Sequence, residues 1–468
     1  MRTNRPLSLL LLLSLLLLCL GGCASPAAAP GVSPAASATP AAEPAPEEAT
    51  ASAAPSPSPK ESPATSLERL SAYASANLST GGFAVSDGSS LFVAADGLWR
   101  MDLDGQNPTL LLEGDFGSLN LYQDKLYFLA LGYAETEWGY LALSSQQPFS
   151  MNLDGSDLQP LGEALPVGSQ EVYAFESEDG SSSYDSQLGY RGFTVHEGWA
   201  DYLATEPGEG SYSIVFDDEE MAEPAPVLVR HQNQAALKRL SLTDGQVETL
   251  AEGLGNAEPV FTLEGGRLYY TRSLHNPLYP YDFTDYLSCS LDGSQQETVC
   301  PPPQDSLLGY HVDGEGYQWM DIVNHLQVMD GQLYASLNDS EGDFRDSRLM
   351  RLDESGESLL VYEMYYLPSL ATPAGLLYAG GERDWEEDRV LEHGLYLLED
   401  GQARLLLPLS EQWNGFVSSE MNLVEGWAYL RRRDLPLLRL RLADGAAEQL
   451  EDGAWVQAQW TPDGWTAA

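Results

Sequence analysis

Basic residues are scarce in this chain. Over 468 residues, 23 Lys and Arg stand against 70 Asp and Glu, a formal net charge of −47 at pH 7. So acidic a surface repels nucleic acid and anionic membrane or wall polymers, and favours cations or basic partners. Histidine is equally thin, at six residues, and cysteine numbers four. No G-x-S-x-G, H-E-x-x-H or phosphate-binding glycine loop occurs, so the common hydrolase, zinc-protease and nucleotide-binding chemistries have no foothold. With 70 acidic residues a carboxylate pair for glycoside hydrolysis can always be drawn on paper, so one carries no weight. The one long apolar run, Leu7 to Leu20, is shorter than the roughly 20 residues a membrane helix needs.

That run follows Arg2 and Arg5, the pattern of a signal-peptide core. It ends in Leu20-Gly21-Gly22-Cys23, which resembles the lipobox of bacterial lipoproteins. The resemblance implies that 1–22 is a signal peptide and that Cys23 is joined to diacylglycerol. The expected protein is thus extracytoplasmic, lipid-anchored to the bacterial cell membrane. Removing Arg2 and Arg5 takes the charge from −47 to −49. Residues 23–66 carry the lipidated Cys and an Ala/Pro/Ser tether too poor in large apolar side chains to fold. Fully extended, such a tether reaches on the order of 100 Å. Leu67, Leu70, Tyr73 and Ala74 have helical spacing and predict a short helix within 67–80.

Cys19 leaves with the signal, which puts only Cys289 and Cys300 in the body of the protein. Two thiols are too few for a metal cluster. They flank "SLDGSQQETV", and a hairpin turning at Ser294-Gln295 would set them opposite each other. A cross-strand disulfide and a pair of buried free thiols both remain open.

From Gly81 onward two elements alternate, seven of each. One is a turn followed by an apolar-aromatic strand, as in "QDKLYFLAL", "HEGWADYLAT", "EGGRLYYTRS" and "VEGWAYLRRR". The other is a hairpin with Asp-Gly or a variant at its tip, as in "LWRMDLDGQNPTLLLEG" and "LLRLRLADGAAEQLEDG". Apolar-polar alternation reads as half-buried strand, and Gly supplies the positive φ a hairpin tip needs. Each unit is therefore a four-stranded antiparallel meander, with strands A to D. Such a meander leaves a face and two edges bare, which radial packing covers. The fold class is all-β: a β-propeller over 81–468, with seven blades expected and six or eight left open. The segment "AWVQAQWTPDGWTAA" is either an extra A–B pair or a strand that closes the ring.

"GRLYYTRS" and "DKLYFLAL" resemble the YWTD repeat of low-density-lipoprotein-receptor propellers. Together with the "xLDG" hairpins they are similar to bacterial receptor-like propeller domains of unknown function. Arg272 stands where the motif's closing Asp belongs, so the resemblance implies the fold and carries over no site residue. Receptor propellers of that type have six blades.

In a meander the A–B and C–D turns share one face, and the B–C and D–A connections share the other. Every long connection falls on the second face: 132–147, 205–235, 272–286, 338–347 and 380–392 between B and C, and 162–190, 301–325 and 408–418 between D and A. Binding residues concentrate on loops held by a rigid scaffold, which marks this face as the candidate site. Its candidate contacts are Trp138, Tyr140, Tyr279, Tyr281, Tyr310, Trp319, Trp385 and Trp413. Exposed Tyr and Trp give large contact area at low entropic cost. His275, His311 and His325 fall on or beside these connections. Asp217-Asp218-Glu219-Glu220 is the weak candidate for Ca²⁺, and no other cofactor is implied. The sequence thus predicts a non-catalytic binding module for a protein, peptide or glycan at the cell surface. The alternative is a glycan- or polymer-active enzyme using carboxylates or His on the same face.

Overall fold

The computed structural model describes residues 77–78, 82–135, 141–166, 169–177, 180–187, 190–206, 211–215, 227–231, 234–255, 260–275, 282–300, 310–312, 318–339, 347–364, 369–384, 389–408, 420–432, 435–451, 453–461 and 464–467. The repeating meanders form seven antiparallel four-stranded blades in a β-propeller ring. Blade 1 is Ala84–Ser86, Ser90–Ala94, Leu98–Asp102 and Thr109–Leu112. Blade 2 is Asp115–Tyr122, Lys125–Glu135, Leu141–Asn152 and Gln159–Pro160. Blade 3 is Arg191–His196, Trp199–Glu206, Gln234–Ser241 and Val247–Ala251. Blade 4 is Phe261–Glu264, Arg267–His275, Asp282–Ser290 and Glu297–Cys300. Blade 5 is Gln318–Met329, Gln332–Asp339, Ser347–Asp353 and Gly356–Met364. Blade 6 is Leu370–Thr372, Gly375–Asp384, Arg389–Glu399 and Gln402–Pro408. Blade 7 is Glu420–Val424, Trp427–Arg432, Leu435–Arg441 and Ala447–Glu451.

The core lies between blades rather than within them. A cluster around Phe92, Phe128 and Tyr429 joins blades 7, 1 and 2, and one around Tyr127 and Phe193 joins 2 and 3. Leu237 and Phe261 join 3 and 4, Tyr286 and Leu326 join 4 and 5, Leu349 and Tyr378 join 5 and 6, and Leu395 and Leu438 join 6 and 7. Alternating side chains on both faces of each sheet thus find a partner blade, and burial of this area drives closure.

Polar side chains set the register between blades. On strand A, four residues before the second turn residue, blades 2, 5 and 7 carry Asn120, Gln327 and Asn422. Each amide clamps the backbone of the next blade's strand A. The Asn120 oxygen accepts from Val195 N–H at 3.1 Å, Gln327 from Ala371 N–H at 2.6 Å, and Asn422 from Phe83 and Ala84 N–H at 2.5 and 3.0 Å. Strand A is the inner edge of its blade, and these amides satisfy backbone groups that have no further strand to pair with.

The tips of the C–D hairpins have a second task that the sequence pattern did not reveal. The Asp carboxylates do cap the turns, Asp292 accepting from Ser294 N–H at 2.9 Å and Asp154 from Ser156 N–H at 2.9 Å. The glycines beside them also lie against the preceding blade. A Cβ on Gly293 would sit 2.8 Å from the Leu250 carbonyl oxygen, and one on Gly445 would sit 2.9 Å from that of Leu406. Arginines complete these contacts. Arg239 stacks 4.2 Å from the Trp199 ring and donates to the Leu291 carbonyl of blade 4 at 3.1 Å. Arg439 repeats this between blades 7 and 1, 4.4 Å from the Trp427 ring and donating to the Asp104 carbonyl at 3.1 Å.

Blades 1 and 7 are each built from consecutive strands, so no strand exchange closes the ring. The C-terminal segment is instead an extra pair on the outer edge of blade 7. Ala454–Thr461 pairs with Ala447–Glu451, and Gly464–Ala467 pairs with Ala454–Thr461. Its Trp455 reaches across the seam, donating to the Met101 sulfur at 3.1 Å and lying 4.3 Å from the Arg439 guanidinium.

The cysteines are both buried and both free. The blade 4 hairpin turns at Asp292-Gly293, two residues earlier than the disulfide geometry requires, so Cys300 pairs with Tyr286 rather than with Cys289. Cys289 belongs to the cluster shared with blade 3 and Cys300 to the cluster shared with blade 5, on opposite sides of the sheet. Of the two readings left open above, the structure has the free thiols. Of the expected 67–80 helix, Asn77 and Leu78 are described and are helical. Residues 1–66, including Cys23, lie outside the described residues, and no described helix is long and apolar enough to cross a membrane.

Candidate functional site

The two ends of the ring differ in construction. On the long-connection face the described parts of the B–C segments expected as loops are strand, because continuing the ladder pairs backbone groups that a loop would leave to solvent. The blade 2 ladder runs out to Glu135 opposite Leu141, that of blade 4 to His275 opposite Asp282, and that of blade 6 to Asp384 opposite Arg389. Blade 5 extends on its inner side, where Tyr310–Val312 pairs with Gln318–Met329 and sets His311 opposite Trp319 and Tyr310 opposite Met320. His325 lies on the same strand, opposite Ser336.

Two other connections build something the sequence reading did not foresee. Ser169–Ser177 and Gly180–Gln187, between blades 2 and 3, form a hairpin. Ser211–Val215 and Val227–His231, inserted between strands B and C of blade 3, form a second. The two hairpins pair, Tyr173 opposite Arg230 and Glu176 opposite Val227, into a separate four-stranded sheet. The ring is already complete without this sheet.

Of the aromatic candidates, Tyr310 and Trp319 are brought onto paired strands. Trp138, Tyr140, Tyr279, Tyr281, Trp385 and Trp413 lie outside the described residues, as do Asp217, Asp218, Glu219 and Glu220. Among the described residues no group of three or more His, Cys, Asp or Glu could hold a metal ion.

The short-turn face carries a cavity of about 710 Å³ at the mouth formed by strand A of blades 1, 2, 3 and 7. Its wall includes Leu78, Val85, Leu119, Leu121, Phe193 and Val424. A bulge shapes it: the blade 2 register shifts between Gly117 and Asn120, with Ser118 at φ 50°. The Asn77 side chain ties the chain entering the mouth to blade 7, donating to the Leu423 carbonyl and accepting from its N–H, both at 2.7 Å. The rim holds Asp87, Asp124, Lys125 and Glu425 from the A–B turns and strands beside them. Burial would push the Asp87 carboxyl up, but N–H groups of Ser90 and Ser89 and the Ser89 hydroxyl hold it below the ordinary value. Lys125 is engaged by Asp157 at 3.1 Å.

A third feature is a buried pair. His196 Nε2 bonds to Asp201 Oδ2, and the two residues are 1% and 0% exposed. Burial raises the Asp201 carboxyl against the opposing pull of His196 and Arg239. His196 Nδ1 and Asp201 Oδ1 have no hydrogen-bond partner. In five of the other six blades the register position of Asp201 is aromatic, Phe92, Tyr127, Tyr269, Tyr334 and Tyr429, and in blade 6 it is Leu377. So enclosed a pair has no path to a substrate; it belongs to the packing of blade 3. Alignment of "HEGWADY" with "VEGWAYL" shows the exchange, but only once the blade register is known.

No protein-family model and no curated protein matches this sequence. Solved structures similar to it share the propeller fold at low identity. The β-propeller domain of the trilobed protease from Pyrococcus furiosus aligns with 80% of this chain and 97% of its own, at 10% identity and a TM-score of 0.42. An oligogalacturonate lyase from Vibrio parahaemolyticus covers 74% of this chain and 81% of its own, at 13% identity and 0.39. TolB from Acinetobacter baumannii covers 68% and 59%, at 12% and 0.33. Likeness at this level concerns architecture and leaves activity open.

Proposed function

We propose that this chain is a lipid-anchored, extracytoplasmic binding module whose long-connection face holds a protein, peptide or glycan at the cell surface without catalysis. The observation that carries this reading is the accessory sheet, built from two insertions on that face and added to a ring that does not need it. The described ladders of blades 2, 4 and 6 extend on the same side of the ring, to Glu135, His275 and Asp384. Structure spent beyond the scaffold, on the face where the aromatics concentrate, is what a recognition surface requires. The signal-like N-terminus, Cys23 and the Ala/Pro/Ser tether support placing that surface outside the cell, at a distance from the membrane.

Crosslinked capture from native envelopes tests it. The bait is the full chain, compared with a variant carrying Trp138→Ala, Tyr281→Ala, Trp319→Ala and Trp385→Ala whose thermal melt is unchanged. A partner retained only by the unsubstituted chain supports the reading. Equal capture by both sinks it.

A further inference from the structure

The cavity on the short-turn face lies at the opposite end of the ring from the proposed recognition surface and plays no part in it. We propose that it binds a small organic cation, an amine whose apolar body enters the cavity while its charged head stays at the rim. Its volume of about 710 Å³ is within the range of roughly 300–1,000 Å³ typical of small-molecule pockets. Its wall is apolar where Leu78, Val85, Leu119, Leu121, Phe193 and Val424 meet. Backbone groups around it are engaged by the Asn77, Asn120 and Asn422 amides, so they do not compete for a polar ligand.

The rim supplies the charge. Asp87, Asp124 and Glu425 are exposed and come from the A–B turns of blades 1, 2 and 7. Asp87 accepts three hydrogen bonds, all at Oδ1, from Ser89 and Ser90. Arg100 adds a favourable field at Asp87, but among the described residues neither Asp87, Asp124 nor Glu425 forms an ion pair. Lys125, the rim's own cation, is held by Asp157. Three carboxylates without an ion pair among the described residues therefore surround one opening in a chain that is already strongly acidic, which disfavours anions and draws cations inward. A divalent metal is the wrong cation, since no three acidic groups among the described residues stand close enough to share one. Charge spread round a rim above an apolar wall fits a diffuse ammonium head with a hydrocarbon body.

Calorimetry on the full chain tests this with three probes of equal length: hexylammonium, hexanol and hexanoate. The expected result is saturable binding of hexylammonium, weaker binding of hexanol and none of hexanoate. Asp124→Asn with Glu425→Gln alters exposed groups only, leaves the melt unchanged, and should weaken hexylammonium about tenfold, as should raising salt well above physiological strength. Ser86→Trp at the rim should block all three probes. The proposal is overturned by equal binding of the three, by no saturable binding of the amine, or by hexylammonium affinity that ignores both carboxylates. It is also overturned if a hexalysine peptide binds more than tenfold tighter than hexylammonium, which would make the mouth a peptide site.

Discussion

Replacing Gly105 tests how the ring closes. Gly105 sits at φ +88°, and a Cβ built there falls on the indole of Trp455. Gly88 has nearly the same conformation, φ +84°, with nothing within 4 Å of its Cβ position. The two glycines therefore separate backbone strain from steric displacement. Forcing Ala into positive φ costs about 1–2 kcal/mol, which is the whole expected effect of Gly88→Ala. Gly105→Ala must also expel Trp455 from Met101, Tyr429 and Arg439. Truncating a fully buried Trp costs about 3–5 kcal/mol, and Trp455 is half-buried, so its share is about 2–3 kcal/mol. Gly105→Ala should then cost about 3–5 kcal/mol. In a Trp455→Ala background it should fall back to the 1–2 kcal/mol of the backbone alone. Urea midpoints of the four proteins measure this as a coupling of about 2 kcal/mol or more. Equal costs for the two glycine substitutions, or additivity of Gly105→Ala with Trp455→Ala, would refute the seam described above.

Three further outcomes follow from the same geometry. Cys289, whose thiol burial pushes up to about 11, and the equally buried Cys300 should not react with a thiol reagent in the folded protein at pH 8; both should react in urea, whereas a disulfide would leave neither reactive without reductant. The tip carboxylates of Asp154, Asp244, Asp292, Asp353 and Asp444 are held low, in the first four chiefly by bonds from neighbouring Ser hydroxyls and in Asp444 by the Ala446 N–H. Their contribution is present above the ordinary value of 3.8 and is lost as pH falls through the lowered ones, so Asn at several tips should flatten the acid limb of stability against pH; an unchanged limb would contradict this. Asp201→Ala should cost about 3–5 kcal/mol by stranding His196 in the interior, while His196→Val with Asp201→Tyr, the residues blade 7 has as Val424 and Tyr429, should recover most of it in a urea titration.

The blades were legible because each is local. Asp-Gly tips and the aromatic strands recur within about fifty residues, and their alternation states both period and register. What escaped was long-range or small in sequence terms. The accessory sheet pairs 169–187 with 211–231 across an entire A–B hairpin, and neither segment announces its partner. The cavity is assembled from strand A of four blades and from Asn77, which meets Leu423 some 346 residues away. The cysteine register failed by two residues because the hairpin turns at Asp292-Gly293 rather than at Ser294-Gln295, which leaves Cys300 opposite Tyr286. Asp201 was hidden because a buried carboxylate and a buried tyrosine occupy the same place in an alternating pattern.

The central claim is that recognition belongs to the long-connection face. Photocrosslinking in intact cells tests it most directly. A crosslinking amino acid would be placed in turn at Trp138 and Trp385 on that face, and at Asp157 and Asp444 on the opposite one. One discrete high-mass adduct is expected from Trp138 or Trp385 and none from Asp157 or Asp444. The same adduct from both faces, or from Asp157 and Asp444 alone, would contradict it.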